Sequence, residues 1–335
     1  MIKQPGSKAW LALHDEPILD PDRSIIDPHH HLWRRRNNNY LLEDFWEDTQ
    51  TGHHIEKTVF VECHAEYRQD GPEHLKPLGE TEFVTKQAEQ SEQLSQRPTI
   101  AGIVGHVDLR LAEKIIPILQ THIELAGGRF RGIRHAGARA TRTEGMTIIG
   151  RAPEGLYEDK GYRTGVRILA EMDLSFDTWH YHYQNENFRS LAAACPETTM
   201  ILDHFGTPLG IGAFAKKRQS IFTTWQRDIE EIAKQGNVIA KLGGLAMPDN
   251  GFGWSERAYP ATSDEFAERQ SPYYNHAIDC FGVDRCMMES NFPVDKMSIS
   301  YSVLYNGLKK IAANYNDAEQ NLLFYGTANR IYKLS

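Results

Sequence analysis

Eight short apolar runs, most of them ending on a histidine or a charged residue, recur along this chain with amphipathic stretches between them. The runs are Ile25–His29, Thr58–His64, Ile100–Val107, Phe130–His135, Leu174–His182, Thr199–His204, Val238–Leu242 and Arg285–Glu289. They are apolar throughout rather than alternating, as a parallel sheet covered on both faces requires. Between them, Leu111–Ala126 and Gln219–Lys234 carry apolar residues at helical spacing, Ile221, Trp225, Ile229 and Ile232 lying on one face of the second. Eight β/α units in about 300 residues fit a closed (β/α)8 barrel better than an open sheet. The expectation is therefore one α/β domain, a TIM barrel over residues 25–335. Residues 1–24, with Pro5, Gly6, Pro17 and Pro21, read as an N-terminal arm. The Gly-, Pro- and aromatic-rich stretch 247–272 reads as a long loop after strand seven, overhanging the catalytic face.

Charge narrows the partners. The 335 residues carry 45 Asp+Glu against 37 Lys+Arg, a formal charge of −8. Such a field repels polyanions, which disfavours nucleic acid and anionic membranes. No apolar run approaches the roughly 18 residues of a membrane span, and Met1–Glu16 lacks the apolar core of a signal peptide. The expectation is a cytoplasmic protein that acts on a small molecule, with a homo-oligomer left open. Cys63, Cys195, Cys280 and Cys286 form no CxxC pair, so a disulfide framework or cysteine zinc site is not expected.

Histidine is in excess, with 15 in the chain. In Asp27-Pro28-His29-His30-His31, residues i and i+2 of an extended chain point the same way, so His29 and His31 can share one ion while His30 faces outward. Glu62 closes a second apolar run and can bridge metals or accept a proton. Further along, His180 and His182 share one face of their run, with Asp177, Trp179 and Tyr181 on the other. His182 lies nearer the strand end, so it is the candidate ligand and His180 a candidate for substrate contact. His204 ends run six. Lys241 would be a buried cation in run seven, able to meet a substrate carboxylate, and Trp254 belongs to the overhanging loop.

Taken together, Asp-x-His-x-His, Arg131-Gly132-Ile133-Arg134-His135, Leu202-Asp203-His204-Phe205-Gly206-Thr207-Pro208, Lys241-Leu242-Gly243-Gly244-Leu245 and Glu289-Ser290-Asn291-Phe292-Pro293-Val294-Asp295 resemble the amidohydrolase superfamily, in its lactonase-like branch. The resemblance spans about Asp20 to Tyr332. It implies a TIM barrel with its site at the strand ends and hydrolysis of a lactone, ester or amide by activated water. One departure stands out. The family pattern at strand eight is Gly-Ser-Asp-x-Pro, whose Asp binds metal and takes the water proton, whereas this chain has Glu289-Ser290-Asn291-Phe292-Pro293. A neutral amide offers an oxygen but no base near neutral pH. Glu289, of the same strand parity, then becomes a candidate base beside His204, Glu62 and a metal hydroxide.

The leading expectation is a hydrolase using one or two divalent ions (Zn, Fe or Mn) against a lactone, ester or thioester. His29, His31, Glu62, His182, His204 and Asn291 would be ligands, and His204, Glu289 and Asn291 the catalytic set. His180, Lys241, Arg134 and Trp254 would contact substrate. The rivals are a metal-independent lactonase or decarboxylase on the same barrel, and a catalytically silent binding subunit.

Overall fold

The computed structural model describes residues 4–36, 38–94 and 96–334. Residues 1–3 of the expected arm, and Asn37, Ser95 and Ser335 of the expected barrel, lie outside the described residues. Eight strands, β1 (Ser24–His30), β2 (His54–Val61), β3 (Thr99–Gly105), β4 (Phe130–Arg134), β5 (Ser175–Thr178), β6 (Met200–Leu202), β7 (Val238–Leu242) and β8 (Cys286–Met288), pair in that order. Every pair is parallel. Helices between them cover the outer face, so the molecule is a (β/α)8 barrel.

Closure occurs just past the strand ends. Asn291 N donates to His29 O at 3.0 Å and His31 N to Phe292 O at 2.8 Å, joining β8 to β1. Fully buried Asp27 fastens the same seam, accepting from Ser290 N at 3.0 Å, Ser290 Oγ at 2.6 Å and Tyr301 Oη at 3.0 Å. Asp27→Ala leaves those three donors buried without acceptors, and is expected to lower the unfolding free energy by about 3 kcal/mol, read from urea denaturation. A loss below about 1 kcal/mol would show that the backbone bonds alone hold the seam.

Inside the barrel, Ile26, Val59, Val104, Ile201, Ile239 and Met287 form an apolar lower layer, closed below by Ala328, Tyr332 and Leu334. Their strand neighbours Ile25, Phe60, Ile103, Phe176, Leu202 and Met288 pack outward against the helices. That alternation decides which polar residues reach the interior one layer higher: Arg134, Asp177, Asp203, Lys241 and Glu289. In β1 the parity changes, because Asp27 pairs with Thr58 but His30 with Phe60, three residues against two. This bulge turns His29 and His31 inward despite inward Ile26, and leaves His30 stacked outward on Phe45, ring centroids 4.1 Å apart.

Several element bounds differ from expectation. β5 ends at Thr178, four residues short of His182. The helix expected from Leu111 begins at Ile116, because Pro117 suits a first turn rather than an interior; Leu109–Ile115 is a separate 3-10 segment broken at Ala112 (φ 52°). The long loop after β7 ends at Thr262, where Glu265 N donates to Thr262 Oγ1 at 3.0 Å and Thr262 N donates to the Glu265 carboxylate at 3.1 Å. This reciprocal cap starts a helix, Ser263–Phe281, that contains Pro272. Residues 4–23 run across that helix and Tyr301–Ala312: Trp10 Nε1 donates to Arg257 O at 3.1 Å, Ser263 N to Glu16 at 2.8 Å, and Lys309 Nζ to Asp20 O at 2.7 Å. Among the described residues no helix is long and apolar enough to cross a membrane.

Candidate active site

Above the apolar layer lies a buried layer of charge. Lys241 Nζ donates to Asp177 Oδ2 at 2.7 Å and sits 3.5 Å from Asp203 Oδ1, while Tyr332 Oη donates to Asp177 from below at 2.5 Å. Arg134 Nε donates to Glu62 Oε1 at 3.0 Å, and its Nη1 lies 3.6 Å from Asp203 Oδ2. Burial raises Asp203 to about 6 and Glu289 to about 8, against the pull of Lys241. Burial pushes Glu62 up, but Arg134, His64 and His106 together hold it below its usual range. Four acidic side chains (Glu62, Asp177, Asp203, Glu289) share this layer with two cations, Arg134 and Lys241.

Three imidazoles cap this layer. His31 Nδ1 sits 2.7 Å from the Val61 carbonyl, which fixes the proton on Nδ1 and leaves Nε2 a lone pair. That Nε2 is 3.3 Å from His29 Nε2. His204 Nδ1 is 2.6 Å from Glu289 Oε1, again directing a lone pair to Nε2. The other Glu289 oxygen lies 2.8 Å from His29 Nδ1 but makes no hydrogen bond. Burial is the main cause holding all three rings below the ordinary histidine range, His204 at about 3, so they are neutral donors of lone pairs.

Backbone bends aim the upper residues. His204 and Phe205 both have left-handed φ (53° and 58°), so His204 turns into the site although adjacent Asp203 already faces it. Asn291 has φ 54°. A side chain on Gly244 would bring its Cβ to 2.4 Å from His204 Nδ1, so only glycine lets that ring sit against β7.

The donor set fits a divalent cation. His29, His204 and Glu289 each offer a ligand atom, all within 4.8 Å of one another. Around them, Glu62 Oε2, Asp203 Oδ1 and Oδ2, Glu289 Oε2 and Asn291 Oδ1 are buried without a hydrogen-bond donor. Neutral imidazoles cannot satisfy so many acceptors, and a cation can. His31 would join through its free Nε2.

Over this cluster opens a cavity of about 240 Å³. Its polar floor includes His31, Glu62, Arg134, His204 and Asn291; Ile148, Trp179, Met247 and Val294 make an apolar wall, and Trp33, Arg35, Cys63, His64 and Ala136 complete the lining. Asn291 Nδ2 donates to Asp295 Oδ1 at 2.8 Å, which leaves the amide oxygen as its free acceptor.

Other sequence expectations are corrected here. His182 stands apart from the cluster: its Nδ1 accepts from Leu209 N at 3.3 Å and its ring packs on Tyr183 and Phe214. His180 is a fully buried outer-layer residue, bound to Asn185 Oδ1 at 3.0 Å and packed on Phe188, so it contacts no substrate. Both lie past the end of β5, and His180 falls on the face opposite Asp177 and Trp179. Lys241 is neutralised one layer below the cavity and does not line it. Trp254 stacks between Phe252 and Phe266 and is buried away from the cavity. Glu62 lies outside the three-residue donor group and is held by Arg134 instead. Glu289 does not line the cavity. The sequence reading missed Asp203, Asp177 and Trp179, for which inward parity was the available signal, and the rim residues Trp33 and Arg35.

The barrel agrees with known proteins. The amidohydrolase family model matches residues 26–334. The chain is 31% identical to the uncharacterised protein y4mH of Sinorhizobium fredii, covering 93% of this chain and 99% of that one. It is 26% identical to an L-fucono-1,5-lactonase of Burkholderia multivorans, over 92% and 96% of the two chains. A zinc-bound amidohydrolase structure from Burkholderia multivorans superposes with a TM-score of 0.70 at 22% identity, over 93% and 99% of the chains, and shares the barrel. With a family model matched over nearly its whole length, this chain belongs to the amidohydrolase family.

Proposed function

We propose that the protein hydrolyses a lactone or ester of a small organic acid, with one divalent ion held by His29, His31, His204 and Glu289. The convergence of neutral histidines and donor-free buried oxygens beneath the cavity carries this reading. Nitrogen and carboxylate donors together suit zinc, iron or manganese. Such an ion, when bound, supplies Lewis acidity toward a carbonyl and makes a nearby water more acidic. The relatives named as L-fucono-1,5-lactonases favour a lactone over a thioester or amide.

The chain's own residues would do the rest. Asn291 Oδ1 accepts an O–H from the attacking water and orients it, being unable to take the proton. Glu62 lines the cavity ionised, with Oε1 held by Arg134 and Oε2 free, so the proton goes to Oε2. As the bond between the carbonyl carbon and the alkoxide oxygen breaks, Glu62 Oε2 returns that proton to the leaving oxygen; the acid product's remaining proton leaves to solvent past His64, whose Nδ1 lies 3.7 Å from Glu62 Oε2 on a side chain 68% exposed. Glu289 keeps His204 in the tautomer that presents Nε2. The apolar wall of Ile148, Met247 and Val294 limits access of bulk water to the reacting carbonyl.

The test is initial rates on a panel of sugar lactones including L-fucono-1,5-lactone, aryl esters, a thioester and an aromatic carboxylic acid. Turnover of a lactone or ester is expected. Exclusive decarboxylation, or no turnover of any member, would overturn the reading. His204→Ala is expected to lower turnover by roughly 100-fold with an unchanged melting profile, the usual cost of one electrostatic stabiliser. Unfolding without a specific loss of rate would make His204 a core residue.

A further inference from the structure

The cavity's rim carries a cation that the mechanism leaves unused. Arg35 lines the cavity and is exposed, and among the described residues no carboxylate lies within ion-pairing distance of it, whereas neighbouring Arg34 meets Glu66 at 3.4 Å. The Arg35 side chain makes one long hydrogen bond, 3.5 Å to Cys63 O. It is nevertheless held in place. Its guanidinium stacks over Trp33 at 4.1 Å, and its backbone N donates to Asn39 Oδ1 at 3.0 Å. Trp33 is fixed in turn by paired backbone bonds with Tyr40, at 2.8 and 2.9 Å, and its ring stacks toward His31 with centroids 6.2 Å apart. The Trp33 Nε1–H is buried without an acceptor.

Arg35 thus presents a planar fork at the rim, laid over the Trp33 ring, with only one long hydrogen bond spent. A planar fork matches a carboxylate better than a hydroxyl or a carbonyl. The charge of the lining agrees: Arg35 and Arg134 against Glu62, a net positive cavity in a chain of net charge −8. A cavity of about 240 Å³ lies below the range of about 300–1,000 Å³ typical of drug-sized ligands, so the occupant is small.

We propose that Arg35, with Trp33, binds a carboxylate of the substrate at the end remote from the histidines, so that the substrate class is a small lactone or ester bearing a free carboxylate. This rests on the hydrolytic reading for what happens at the other end. Arg35 is placed here as a specificity-determining residue.

Binding separates the two claims. Isothermal titration calorimetry of the metal-loaded protein would compare glutarate with glutaramate, which replaces one carboxylate by a neutral amide. Wild type is expected to bind glutarate about ten- to a hundredfold more tightly, the range of a hydrogen bond to a charged group. Arg35→Gln should remove most of that preference, Arg35→Lys should keep part of it, and metal content should be unchanged in both. Equal affinity for the two acids in wild type, full preference retained in Arg35→Gln, or no binding of either acid at about 10 mM would each overturn the proposal. Because no bond is broken in this experiment, a carboxylate preference stands even where no lactone is turned over. Conversely, lactone turnover with Arg35 indifferent removes only the rim site.

Discussion

Replacing His29 and His31 together by alanine is expected to take bound transition metal from near one equivalent per chain to below about 0.1 equivalent, measured by elemental analysis. The two rings bring their Nε2 atoms to 3.3 Å from each other, and the Val61 carbonyl locks the His31 ring in the tautomer whose Nε2 carries a lone pair. Removing them leaves His204 and Glu289, too few donors to hold an ion at ordinary concentrations. Turnover should fall by at least about 1,000-fold, since Lewis acidity and the activation of water depend on the same ion. Full metal retention in the double variant would place the ion elsewhere.

Lys241→Met is the second large effect, and it falls on stability. Lys241 is wholly buried between Asp177 and Asp203, and its loss leaves two carboxylates without their cation. Breaking a buried pair by removing one partner costs about 3–5 kcal/mol. A urea midpoint shift of that size is expected. Unchanged stability with a raised KM would instead show Lys241 to be a substrate contact, as its position in run seven first suggests.

The barrel was legible because its physical signature is repetitive: each run is apolar on both faces, and eight of them in sequence leave few alternatives. The position of His29 and His31 was legible from their spacing alone. So was the outward turn of His30, but the bulge at Asp27–His30 that reconciles it with inward Ile26 was not, since only the pairing with β2 reveals that extra residue. In run five the parity was grouped correctly and the wrong face chosen. Asp177 enters the barrel and Trp179 lines the cavity, while His180 turns outward into a hydrogen bond with Asn185. Chemistry favoured the histidines; register favoured their neighbours. At run six, consecutive left-handed residues put Asp203 and His204 on the same side, which strand alternation forbids and a sequence pattern does not show. Arg35 lies in a run of three arginines that reads as solvated surface, and only its stack on Trp33 distinguishes it.

The exchange at strand eight also gains a physical reading. The carboxylate expected at position 291 is absent, and one stands at 289, buried beneath the histidines rather than open to the cavity. One of its oxygens lies against His204 Nδ1 and the other is without a hydrogen-bond partner, so under the proposed function Glu289 would serve the ion while Glu62 would receive the proton.

The decisive measurement is a reconstitution titration. Protein stripped by a chelator to below about 0.1 equivalent of metal would be assayed for lactone or ester hydrolysis during stepwise return of zinc or manganese. Activity near zero in the stripped protein, rising in proportion to metal and levelling at one equivalent, is the expected result. Hydrolysis by the stripped protein at the full rate of the reconstituted one would contradict a metal-dependent centre at His29, His31, His204 and Glu289.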